Sequence, residues 1–125
     1  MILVDTSGWI EIFTAGPLAD KFLEFLGEKA EVVTPTVVIY EVYKKLKRDT
    51  SQKIADQAIA QLQQTRVIPL TPEIAVYAAE LSLKHSLAMA DAIVYATALQ
   101  NNAILATSDK DFENLDGVKY FYKIV

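Results

Sequence analysis

Four short runs rich in β-forming residues, each passing straight into a helical pattern, constrain this chain more than any other feature. They occupy residues 1–4, 31–34, 66–70 and 103–107. Runs of four or five Val, Ile, Leu and Thr bounded by Pro, Asp and Ser read as buried strands. Strands that alternate with helices must be joined by crossovers, which gives a parallel sheet covered by helices on both faces.

The helical patterns fill the gaps. Residues 17–29 carry Leu18, Phe22, Phe25 and Leu26 at helical spacing, with acids and lysines between them. Pro35-Thr36 opens a helix reaching about Arg48, with Val38, Val42 and Leu46 on one face and Ile39 and Tyr43 beside them. Asp49-Thr50-Ser51 breaks it, and Ser51 caps a second helix to about Gln64. Thr71-Pro72-Glu73-Ile74 is a further helix start, continued through Tyr77, Ala78 and Leu81 to about His85. Residues 89–99 hold almost nothing polar besides Asp91 and Thr97, which predicts a helix buried on most sides. Ser108 to Phe112 opens a short helix, and residues 118–122 read as a last edge strand. The expected architecture is a single domain over residues 1–125, a three-layer α/β/α sandwich with a mostly parallel central sheet.

Composition narrows the function. The 125 residues, 52% hydrophobic, suffice to bury roughly two-thirds of the unfolded surface. Sixteen acids against twelve bases leave a formal charge of −4, which argues against a protein that coats duplex DNA by charge alone. It leaves room for an enzyme that meets a phosphodiester through bound cations. With no cysteine there is no disulfide framework and no thiolate metal site. No basic lead-in precedes Asp5 and no uncharged run is long enough to span a bilayer, so a cytoplasmic setting without membrane attachment is expected. The four glycines are scattered, so there is no P-loop or dinucleotide fingerprint. His85 is the single histidine, which removes two-histidine catalysis and multi-imidazole zinc sites. No serine stands in a nucleophile elbow. Carboxylate is what remains in quantity.

Four acids fall where ligands bind in such a sheet, at the carboxyl ends of the strands. Asp5 ends the first strand, where it can cap the next helix or face a ligand. Glu41 lies in the second turn of its helix; Lys44 and Lys45 follow at i+3 and i+4, so a surface ion pair competes with a side chain tilted back toward the sheet edge. Asp91 stands in an alanine-rich first turn, where a buried acid must cap, be neutralised or coordinate. Asp109 follows the fourth strand, with Asp111 as its rival and capping-box-like spacing between Ser108 and Asp111. Two carboxylates about 4 Å apart repel by roughly 4 kcal/mol at an effective dielectric of 20. A cluster of them persists when protonated or when holding a cation. Oxygen-only ligands suit Mg²⁺ or Mn²⁺, with Thr6, Ser7, Thr107 and Ser108 placed to support ligands or waters. Such ions activate water and stabilise a leaving oxygen, so the chemistry points to phosphodiester hydrolysis.

On LVDTS (residues 3–7), Thr36 through Glu41, DAIVYATA (91–98) and TSDKDF (107–112), the whole chain resembles the PIN-domain nucleases, most closely the VapC kind of toxin. The resemblance implies a metal-dependent endoribonuclease with Asp5, Glu41, Asp91 and Asp109 as its catalytic, metal-holding acids. It also implies a homodimer and an antitoxin that occupies the active-site groove. One departure is SLAMA (86–90), which lacks the glycine and proline often present there in relatives and bears on the shape of the groove. Lys44, Lys45, Lys47 and Arg48 are candidates to meet RNA phosphates, or else form a solvated helix face. Two rivals come from other classes. A receiver-type signalling module would need an acid beside Asp5 and a Lys-Pro after a late strand, and neither is present. A PIN fold kept only for binding would have no need to retain all four acids.

Overall fold

Every expected strand forms, but the last covers only Val118–Tyr120 and stops short of the expected residue 122. The structure, a computed structural model, describes residues 1–28 and 30–123. Elements run β1 (Ile2–Val4), α1 (Thr6–Phe13), α2 (Ala19–Leu26), β2 (Val32–Pro35), α3 (Thr36–Asp49), α4 (Gln52–Leu62), β3 (Arg66–Ile68), α5 (Pro72–His85), α6 (Met89–Gln100), β4 (Ile104–Thr107) and β5 (Val118–Tyr120), with one 3₁₀ turn at Lys110–Phe112. The third strand stops at Ile68 because Pro69 has no N–H to donate. The helix expected over residues 17–29 stops at Leu26, where Gly27 turns the chain at φ +61°; the expected end at Lys29 lies outside the described residues. The first helix begins at Thr6, directly after Asp5, which caps it.

The sheet has the order β3-β2-β1-β4-β5, with all four pairings parallel. Ile2 and Leu3 stand opposite Val32 and Val33 on one side and opposite Ile104 and Leu105 on the other. Connections from β1 to β3 step one way along the sheet and those from β3 to β5 step the other. Right-handed crossovers therefore send α1–α4 and α5–α6 to opposite faces, as a three-layer sandwich requires. The switch in direction falls between β1 and β4, the place in an open α/β sheet where ligands bind.

Covered on both faces, the central strands bury a run of apolar residues: Leu3, Val4, Val33, Leu105 and Ala106 have no exposed surface. Each fully buried Leu or Val contributes about 1.5–3 kcal/mol relative to exposure. The helix α6 is buried along its entire run from Ala92 to Ala98, which its near absence of polar residues predicts. Gly8 lets α1 sit tight against the sheet, since a Cβ there would lie 2.5 Å from Val4 Cγ1 and 2.8 Å from Phe22 Cε1. Ser86, in the segment that departs from relatives, takes the left-handed conformation at φ +57° after α5, a conformation that glycine adopts without steric cost. Among the described residues, no helix is long and apolar enough to cross a membrane.

Candidate functional site

The ends of β1 and β4, the first turns of α6 and the stretch of α3 from Tyr40 to Arg48 surround one cleft of about 350 Å³, whose lining includes Asp5, Glu41, Asp91 and Asp109. Four separate elements thus bring together the four acids singled out in the sequence.

Asp5 is 4% exposed and its carboxylate is held on both oxygens. Oδ1 accepts from Ser7 Oγ at 2.6 Å and from the Gly8 N–H at 3.1 Å, and Oδ2 accepts from Thr107 Oγ1. Both hydroxyls are themselves anchored to the loop after β4: the Ser108 N–H donates to Ser7 Oγ at 3.0 Å, and the Asp109 N–H donates to Thr107 Oγ1 at 2.9 Å. Asp5 therefore caps α1 and faces the cleft at once. Burial pushes its carboxyl up to about 6, against the pull of the hydrogen bonds from Ser7, Thr107 and Gly8.

Glu41 makes no ion pair with Lys44 or Lys45; its Oε1 instead accepts from Thr6 Oγ1 at 2.8 Å. The backward tilt of helical side chains wins over the local i+3 and i+4 charges because the N-terminal end of α3 opens onto the cleft.

Asp91 does not cap its helix. Ala88 is the N-cap of α6 and offers no side-chain bond, and the Asp91 carboxylate accepts no hydrogen bond among the described residues. One of its oxygens instead lies within 4.8 Å of an oxygen of Asp109 and of one of Asp111. Desolvation, then repulsion from Asp109, Asp111, Glu41 and Asp5, pushes the Asp91 carboxyl up to about 7.

Asp109 caps the 3₁₀ turn through the Asp111 N–H at 3.0 Å while also lining the cleft. Asp111, an exposed acid weighed in the sequence only as a rival to Asp109, stands beside it as a third member of the Asp91 group.

Three of the supporting hydroxyl residues, Thr6, Ser7 and Thr107, donate to the acids through their side chains. Ser108 contributes its N–H, while its buried Oγ has no partner among the described residues. Of the four basic candidates, Lys44, Lys45 and Arg48 line the cleft and Lys47 does not. Helical geometry explains the division, since 41, 44, 45 and 48 share a stripe on α3. Lys47 sits a face away with its ammonium 5.9 Å from the Tyr43 ring. Tyr40, not singled out in the sequence, also lines the cleft.

Although Lys44, Lys45 and Arg48 line the same cleft, none is ion-paired to its acids. Among the described residues the ion pairs are Arg48–Asp49 and Arg66–Glu31, and neither involves a cleft acid. Convergent carboxylate oxygens, free of His and Cys, fit a hard divalent cation.

Comparison with known proteins agrees with this fold. The PIN domain family model matches residues 2–118. Among solved structures, a chain of a toxin–antitoxin complex from Klebsiella pneumoniae is 26% identical with a TM-score of 0.85, covering 99% of this chain and 100% of that one. The fold is also that of VapC20 from Mycobacterium tuberculosis, a sarcin-ricin loop cleaving toxin (24% identity, TM-score 0.79, 93% and 95% covered). VapBC2 from Rickettsia felis, bound to a DNA fragment from its promoter, shares it at 15% identity (TM-score 0.76, 96% and 98% covered). A comparison with curated proteins finds no match.

Proposed function

The chain belongs to the PIN-domain family, and from that premise we propose that it is a divalent-metal-dependent endoribonuclease, the toxin of a toxin–antitoxin pair acting in the cytoplasm. The observation that carries this reading is the cleft in which Asp5, Glu41, Asp91 and Asp109 converge with no ion pair to any of them among the described residues.

Asp5, Glu41, Asp91 and Asp109 would hold Mg²⁺ or Mn²⁺, with Asp111 able to join from the rim. The bound ion supplies Lewis-acid activation of water and offsets charge on the scissile phosphate and leaving oxygen. The chain's own groups set up that chemistry. Ser7, Thr107 and the Gly8 N–H fix Asp5 so that its oxygens need no reorganisation. Thr6 Oγ1 fixes Glu41 in the same way. Asp91, which accepts no hydrogen bond among the described residues and whose carboxyl is pushed up to about 7, would give up its proton to a bound cation. Lys44, Lys45 and Arg48 give an acidic protein a cationic wall for the phosphates flanking the cut.

An antitoxin that inserts into the cleft is the proposed regulator, supported by the likeness to the Klebsiella toxin–antitoxin chain along its full length. A second copy of the chain is the proposed occupant of the apolar groove between α5 and α6, where Leu70 and Met89 stand exposed.

The test is cleavage of a structured RNA with Mg²⁺, with Mn²⁺ and with chelator, by the wild type and by Asp91→Asn. Cleavage by the wild type in either ion and by neither protein in chelator supports the reading. Cleavage that survives both chelator and substitution overturns it.

A further inference from the structure

Tyr40 stands 61% exposed, although it lies in the cleft beside the acids. It is the aromatic residue among the described residues that line the cleft, and it precedes Glu41 on α3. Lys44 Nζ lies 5.5 Å from the centroid of its ring and 3.4 Å from its hydroxyl, so a cation one turn along braces the ring. Lys45 and Arg48 extend the positive stripe away from it along the same helix. The core does not need this ring, as Val38, Val42 and Leu46 form the buried face of α3. An exposed aromatic ring flanked by cations at the rim of a phosphate-directed cleft is the combination that holds single-stranded nucleic acid. A base stacks on the ring while the cations follow the backbone.

We propose that Tyr40 is the positioning residue that stacks an unpaired base next to the scissile phosphate, so that the cleft cuts RNA where a base can be splayed out of its helix. The inference rests on the nuclease reading and adds the residue that selects substrate shape. A base paired within an A-form helix presents only its edges, and neither face is free to meet Tyr40. The cleft, about 350 Å³, lies near the lower end of the ~300–1,000 Å³ range of ligand sites, which is room for a nucleotide. Lys44, Lys45 and Arg48 would then hold the phosphates on the side of the cut toward the C-terminal end of α3.

Two measurements test the assignment. In Mn²⁺, kinetics on a hairpin RNA cut in its loop should give Tyr40→Ala a KM about tenfold higher with kcat nearly unchanged, while Tyr40→Phe behaves as the wild type. In the second, Asp91→Asn binds short single-stranded RNAs carrying 2-aminopurine at successive positions. Fluorescence at one position should be quenched on binding, and adding Tyr40→Ala should abolish that quenching. Wild-type KM in Tyr40→Ala, or quenching that persists without the ring, overturns the role of Tyr40 and leaves the nuclease reading intact. A wild type that cuts no RNA overturns the nuclease reading, and the quenching, read without turnover, still decides whether Tyr40 stacks a base.

Discussion

Thr107 Oγ1 donates a hydrogen bond to Asp5 Oδ2, joining residues 102 apart in sequence at the seam between β1 and β4. The same Oγ1 accepts from the Asp109 N–H, so one hydroxyl sets the position of two of the cleft acids. Thr107→Val keeps the shape and removes both bonds. It should cost about 1–3 kcal/mol of stability, since a buried acceptor and an N–H lose their partners. Metal affinity should fall about 10–100-fold. Denaturant unfolding and calorimetric Mn²⁺ titration measure the two effects, and unchanged affinity would contradict the role given to this bond.

Asp91→Asn should separate stability from activity. Asp91 carries repulsion from four neighbouring acids and no compensating hydrogen bond, so the neutral amide relieves the metal-free protein. In chelator its melting temperature should exceed that of the wild type, while Mn²⁺ should no longer raise it and RNA cleavage should drop to the chelator background. For the wild type, a hundredfold excess of ion over its dissociation constant adds about 2.7 kcal/mol.

The pH dependence of stability follows from the same groups. Asp5 rises from 3.8 to about 6 on folding and Asp91 from 3.8 to about 7. Between these limits the folded protein keeps protons that the unfolded chain has released, so stability falls as pH rises from about 4 to about 7. Metal-free protein should therefore melt higher at pH 5 than at pH 8. Cations compete with those protons, so the Mn²⁺-induced rise should be largest at pH 8 and shrink toward pH 5. Scanning fluorimetry across pH, with chelator and with Mn²⁺, checks both trends.

Gly8→Ala tests the approach of α1 to the sheet. Its Cβ would press on Val4 and Phe22, both fully buried, and overpacking of this kind costs about 1–3 kcal/mol. Equilibrium unfolding should show that loss, and a stability equal to wild type would mean that the helix shifts freely.

The fold was legible because each strand carries its own signal and alternation with helices leaves few topologies. That the sheet is parallel throughout follows from the direction in which the short edge strand β5 pairs with β4, which local sequence does not encode. The acids were legible by position, each at a strand end or in the early turns of a helix. Their partners were less so. Local charge suggested a Glu41–Lys45 pair, whereas Thr6, 35 residues away, provides the bond. Asp111 was weighed against Asp109 because spacing along the chain cannot tell two acids that compete from two that share a site with Asp91. Lys47 was grouped with Lys44, Lys45 and Arg48 by adjacency; the helical period separates it from the stripe that faces the cleft.

The central claim is that these carboxylates form a divalent-cation pocket, and anomalous diffraction from crystals soaked in Mn²⁺ tests it most directly. The account predicts a manganese peak within bonding distance of Asp5, Asp91 or Asp109 oxygens in the wild type, and none there in Asp91→Asn. A wild-type cleft without a peak at saturating Mn²⁺, or a peak that Asp91→Asn leaves in place, would contradict it.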